Sequence, residues 1–131
     1  MKKIVLVDAS PRQGGNSEIV VDTLAGCEVT VFKMREKDCR FCRACAACQG
    51  KETQMCVQRD DITALLPVID QCDAIVMATP IYNQQITAQA KLFIERWYPF
   101  STGKRRTGAI RPGRVKRPRW SALSGEARRI L

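Results

Sequence analysis

The stretch VDASPRQGGNSEIV, residues 7–20, carries an apolar run through a turn of Ser, Pro, Arg and Gly into the polar start of a helical pattern. Behind it, KKIVLV (2–7) is a continuous β-branched and aliphatic run, the pattern of a strand buried on both faces. Ahead of it, NSEIVVDTLAG (16–26) opens with helix-capping residue types and stops at Gly26, so it reads as a helix. A helix start presents unpaired backbone N–H groups and a partial positive charge, and so attracts an anion. Ser10, Arg12, Asn16 and Ser17 are the side-chain donors that a phosphate would find here. The same residues also suit an ordinary capped turn. The loop is neither the Walker pattern nor the dinucleotide G-x-G-x-x-G.

The rest of the chain repeats the alternation. CEVTVFKM (27–34) reads as a second, less apolar strand, suited to an edge, and the cysteine region 39–56 reads as irregular. In DDITALLPVID (60–70), Ile62, Leu65, Leu66 and Ile69 follow an Asp cap at helical spacing, in a helix that Pro67 is expected to bend or shorten. DAIVMATP (73–80) is a third apolar strand. TAQAKLFIERWYPF (87–100) sets Ala90, Phe93, Ile94 and Trp97 on one helical face, and Pro99 is expected to end that helix. Strands alternating with helices imply a parallel sheet with right-handed crossovers, whose ligands bind beyond the carboxyl ends of the strands. A second loop leaves that edge, TPIYNQQ (79–85). Pro80 stiffens it, Tyr82 offers an aromatic face, and Asn83, Gln84 and Gln85 offer amides to a planar heterocycle. Taken singly it is a surface loop with one tyrosine. Together the two loops suit a mononucleotide with a flat ring.

The chain has 131 residues, the size of one domain, and seven cysteines. In a reducing compartment such thiols read as metal ligands or redox groups before they read as disulfides. Cys39, Cys42, Cys45 and Cys48 recur at every third position, and Cys56 follows. A C-x2-C-x2-C run with one further thiolate is the local pattern of iron–sulfur ligation, zinc also accepts four thiolates, and the thiols can equally stay free of metal. Cys27 and Cys72 read as small buried hydrophobes at element ends. The chain has no histidine, which excludes His-based acid–base catalysis, and no catalytic side chain is assigned. No apolar run reaches membrane length and the N-terminus lacks a secretory signal, so the expectation is a soluble cytoplasmic protein with no membrane contact.

The net charge of +9 is unevenly spread. Residues 1–100 carry twelve basic and twelve acidic side chains, whereas residues 101–131 carry ten basic ones against Glu126. The expected organisation is therefore a domain over 1–100 and a basic Arg/Pro/Gly-rich tail over 101–131, with the composition of a disordered segment. The abrupt step favours a reading-frame change or truncation near residue 101, which would leave an inactive fragment. A silent solvated tail and a basic nucleic-acid arm, with Trp120 stacking on a base beside a Cys metal site, are the competing readings. The neutral first hundred residues count against nucleic acid.

SPRQGGNS (10–17), CRACAACQG (42–50) with CVQRDDI (56–62), and ATPIYNQQITAQAKLFIERWY (78–98) together resemble the NAD(P)H-dependent FMN reductases and iron–sulfur flavoproteins. The resemblance covers about the first hundred residues and lies in the order of three motifs. It implies a flavodoxin-like three-layer α/β sandwich with a five-stranded parallel sheet, of which this chain shows strands 2-1-3 while later strands are not recognisable. It implies FMN, with its phosphate on Ser10, Arg12, Asn16 and Ser17 and its ring against Pro80, Ile81, Tyr82 and Asn83. NAD(P)H would be the electron donor, with a small molecule or protein as acceptor, in a dimer or other homo-oligomer. It aligns Cys42, Cys45 and Cys48 with the compact motif of the iron–sulfur flavoproteins, with Cys56 as fourth ligand of a [4Fe–4S] cluster and Cys39 left over. Such a cluster would take electrons from reduced FMN and pass them to a one-electron partner. With the third strand left as an apolar edge, the chain is expected to be marginally stable or to lean on a partner chain, and to hold FMN weakly.

Overall fold

A computed structural model describes residues 1–15, 19–20, 23–49 and 55–101. Asn16, Ser17 and the expected tail beyond Ser101 lie outside the described residues. Three parallel strands form the centre: β1 (Lys3–Asp8), β2 (Glu28–Lys33) and β3 (Ala74–Ala78), in the order β2-β1-β3. Two helices cover one face, α1 (Asp61–Gln71) and α2 (Ala88–Glu95), and a short α3 (Tyr98–Ser101) follows. This is the α/β arrangement that the alternation of periods implies.

β1 is the axis of the sheet because its four central residues, Ile4 to Val7, are apolar without a break. Val5 and Val7 pack with Phe32 and Met34 of the β2 side, with Ile62, Leu65, Leu66 and Ile69 of α1, and with Ala90 and Phe93 of α2. Ile4 and Leu6 alternate to the opposite face and are buried too, so both faces of the strand are covered. Each fully buried aliphatic side chain of this set contributes about 1.5–3 kcal/mol. β2 carries exposed Glu28, Thr30 and Val31, as an edge strand should. Ile19, Val20 and Thr23 are helical, and the turn Leu24–Gly26 follows, with Gly26 at a left-handed φ of 85° that costs glycine little.

α1 starts where the sequence places it. The Asp60 carboxylate accepts the Thr63 N–H at 2.9 Å and caps the helix. Pro67 does not shorten it: the proline lies on the exposed side, and the helix runs on to Gln71 while Leu65, Leu66 and Ile69 hold it to the sheet. The helix expected over 87–100 is two helices instead. Pro99 has no N–H and its ring crowds the carbonyl four residues back, so the chain leaves the helix at Arg96 and Trp97, before the proline. Pro99 then sits in the first turn of α3, where a missing N–H is harmless. The second loop is also more regular than its composition suggests. It forms a hairpin, β4 (Ile81–Tyr82) against β5 (Gln85–Ile86), with both turn residues left-handed, Asn83 at φ 49° and Gln84 at φ 64°.

Candidate functional site

Two segments leave the carboxyl edge of the sheet next to each other, one from β1 and one from β3. The β1–β3 ladder runs one residue past the strands, through Ala9 N–H to the Ala78 carbonyl at 2.9 Å. Ser10 follows at once. It is buried, its N–H donates to Asp8 Oδ1 at 3.0 Å, and its hydroxyl accepts the Arg12 N–H at 3.2 Å. The turn continues through Pro11–Gly14 with the Arg12 side chain exposed. Gly14, at φ 65°, has nothing within 4 Å of where a Cβ would stand, so the loop is open there. A hydroxyl, a guanidinium and a bend of backbone around open space are the donor set that a phosphate group fits.

Beneath this loop lies a pair that the sequence reading missed. Asp8, buried at the end of β1, forms an ion pair with Arg35 from the 3-10 turn Met34–Glu36 beyond β2, and Arg35 also reaches the Ser10 carbonyl at 3.5 Å. The signal was present in Asp8, a carboxylate placed directly after an apolar strand.

From β3, Thr79 and Pro80 lead into the hairpin. Pro80 is half-buried, whereas Ile81 and Tyr82 are 67% and 50% exposed, an apolar pair held out at the sheet edge. Asn83 occupies the turn at the tip. An exposed aliphatic–aromatic pair beside a phosphate-type loop fits the flat ring of a flavin. Thr87, buried at the base of the hairpin, donates from Oγ1 to the Ala9 carbonyl at 2.9 Å and so joins the two segments directly.

The thiol segment is tied to this edge by a second unanticipated pair. Arg96, 1% exposed, reaches back from the end of α2 to the Asp60 carboxylate, to Thr63 Oγ1 at 2.7 Å and to the Arg40 carbonyl at 2.7 Å. Asp60 Oδ2 in turn accepts the Arg40 N–H at 3.1 Å. Burial alone would raise the Asp60 pKa, but bonds from Arg96, Thr63 and Arg40 hold it down at about 2. Gln58 Nε2 donates to the Phe41 carbonyl at 3.1 Å and Gln49 Nε2 to the Tyr98 carbonyl at 3.1 Å, which pin the segment further.

All seven cysteines are free thiols. Cys39 points into the core margin, where burial and the charges of Asp60, Asp61 and Asp38 push its pKa up to about 11, so it stays protonated at neutral pH. Burial likewise raises the Cys72 thiol. Of the four candidate ligands, Cys45 is exposed, Cys42 and Cys56 are half-buried and Cys48 is buried. The Cys42 sulfur accepts the Ala44 N–H at 3.4 Å and the Cys48 sulfur accepts from Gln49 Nε2 at 3.4 Å. Among the described residues, no three Cys, Asp or Glu side chains are gathered to hold a metal ion, and residues 50–54 between Cys48 and Cys56 lie outside that set. The thiols fit a soft metal in kind; their sulfurs are not drawn together.

Cys45 is flanked by Ala44 and Ala46 at φ 51° and 52°, a left-handed conformation unfavourable for alanine. Ala44→Gly is therefore expected to leave stability unchanged or raise it by about 0.5 kcal/mol, whereas Ala64→Gly in α1 costs about 1 kcal/mol. Urea midpoints of the two variants check the contrast.

The family model for NADPH-dependent FMN reductase matches residues 2–110, past the charge step at residue 101. An iron–sulfur flavoprotein of Archaeoglobus fulgidus is 35% identical over 104 residues, covering 75% of this chain and 46% of that protein. An iron–sulfur flavoprotein of Methanosarcina thermophila is 31% identical over 102 residues, covering 72% of this chain and 51% of its own length. One from Methanocaldococcus jannaschii is 28% identical over 107 residues, covering 77% and 54%. The chain spans about half the length of the curated relatives it matches. No solved structure matches it significantly. With a flavodoxin-like sheet in the order 2-1-3 and a family match over most of its length, the chain belongs to the NADPH-dependent FMN reductase family.

Proposed function

We propose that this chain binds FMN at the carboxyl edge of its sheet and works as an NAD(P)H-dependent oxidoreductase. The observation that carries the reading is the adjacency of the Ser10–Gly14 loop and the Ile81–Ile86 hairpin on neighbouring parallel strands, joined by Thr87. Ser10, Arg12, Asn16 and Ser17 would hold the phosphate, and Pro80, Ile81, Tyr82 and Asn83 would hold the ring. Bound flavin supplies hydride acceptance from NAD(P)H and delivery of electrons to a small-molecule or protein acceptor. The chain's own residues bind and orient: Arg12 meets the phosphate charge, and Ile81 and Tyr82 cover apolar ring surface. Cys42, Cys45, Cys48 and Cys56 would hold a [4Fe–4S] cluster, which supplies one-electron transfer; the donor chemistry and the names of the relatives support this assignment. A homo-oligomer is the expected assembly.

Titration with FMN and with riboflavin, followed by flavin fluorescence, tests the reading. Two or more charge-assisted bonds to the phosphate should favour FMN by about 100-fold. Equal affinity for the two flavins, or no binding of either, overturns it.

A further inference from the structure

We propose that Thr87 is a positioning residue that sets the distance between the phosphate half and the ring half of the flavin site. The proposal rests on the FMN reading above. Thr87 is 2% exposed and stands between the two halves. Its hydroxyl proton goes to the Ala9 carbonyl at 2.9 Å, directly before Ser10. Its oxygen accepts the Ala90 N–H at 3.2 Å, which caps α2, and lies 3.2 Å from Thr79 Oγ1. Thr79 Oγ1 accepts the Thr87 N–H at 3.2 Å and is 3.2 Å from the Pro80 carbonyl. One hydroxyl has one proton and two lone pairs: Ala9 takes the proton, Ala90 fills one lone pair, and Thr79 fills the other when its own proton turns to Thr87 in place of the Pro80 carbonyl.

A plain helix cap would need only the bond to Ala90. The remaining contacts leave the helix, to Ala9 78 residues away and to Thr79 eight residues away, and each ends on backbone or side chain at the root of one flavin-holding segment. The β-branch of threonine restricts its rotamer, so the strut is stiff. Stiffness matters because a ligand gripped at both ends gains its full affinity only when the two grips are already correctly spaced. Once the ring is seated, the phosphate finds its loop at high effective concentration. Loosening the strut removes that advantage without touching either grip.

FMN and riboflavin share the ring and differ in the phosphate, so the ratio of their affinities reads the spacing. Thr87→Val keeps the shape and removes the hydroxyl; Thr87→Ser keeps the hydroxyl. In the valine variant the preference for FMN is expected to shrink about tenfold, the worth of roughly one to two hydrogen bonds, with riboflavin binding changed less than about threefold. The serine variant should restore most of the preference. A valine variant that loses thermal stability and weakens both flavins equally makes Thr87 a cap only and overturns the proposal. Should that variant fail to fold, Thr79→Val decides in its place, because it leaves the cap and the Ala9 bond intact and removes the hairpin-side contact. An unchanged FMN-to-riboflavin ratio in Thr79→Val then overturns the proposal. Absence of any FMN preference in the unaltered chain is a separate result, and sinks the flavin reading itself.

Discussion

Replacing Asp60 with alanine is expected to cost about 3–5 kcal/mol of folding stability, because it strands the Arg96 guanidinium in the interior without its counter-charge. Both side chains are almost wholly buried, 0% exposed for Asp60 and 1% for Arg96. The same carboxylate caps α1 through Thr63 and anchors the Arg40 N–H, so the loss spreads to three elements. Asp60→Asn, which keeps the cap, should lose less. Urea denaturation at neutral pH measures both; a loss below about 1 kcal/mol for the alanine variant would show that the pair is replaceable by water. The acid behaviour has a fixed sign. Asp60 titrates at about 2 in the folded chain against an ordinary 3.8, so the folded state binds the proton more weakly. The pair's contribution is therefore complete above the ordinary value and is lost as pH falls from about 4 toward 2. The asparagine variant should show a shallower acid transition than the unaltered chain across that window.

Phe93→Ala is expected to be comparably damaging, at about 3–5 kcal/mol. Its ring is fully buried, 6.2 Å from that of Phe32 on the sheet and edge-on to Trp97 at 5.6 Å. Truncation opens a cavity where α2 meets β2. Ile94, half-buried on the neighbouring position, is the internal comparison, and Ile94→Ala should cost clearly less. If thermal or urea unfolding ranks the two the other way, α2 docks through a different face. Because Thr87 caps α2, the phenylalanine variant should also bind FMN more weakly than its residual folded fraction alone would explain.

The sequence read well wherever burial repeats with a fixed period. β1, with its unbroken apolar run from Ile4 to Val7, and α1, with its Asp cap and four core residues, lie within a residue or so of their expected positions. The phosphate-type loop and the aromatic-amide loop were both legible, since turn residues between periodic elements mark the sheet edge. What escaped depends on contacts between distant residues. Arg96 sits among Phe93, Ile94 and Trp97 in a pattern that says helix, and nothing local says that its charge will meet Asp60. The break after Glu95 was displaced from Pro99 because the steric effect of a proline falls on the preceding turn. The Ile81–Ile86 hairpin has strands of two residues, too short for any alternation to register, and its turn is Asn-Gln in place of the favoured Asn-Gly.

The clasp on Arg40 also bears on how freely this protein can change. With the Arg40 N–H on Asp60 and the Arg40 carbonyl on Arg96, the thiol segment is a loop whose two ends are fastened to the core independently of what lies between them. For a loop with fixed ends, doubling the length adds only about 0.6 kcal/mol of closure entropy. Cysteine number and spacing can therefore drift by insertion or deletion while the sheet, its helices and the two flavin-holding segments stay as they are. For this segment a change of length costs less than loss of the clasp at its base.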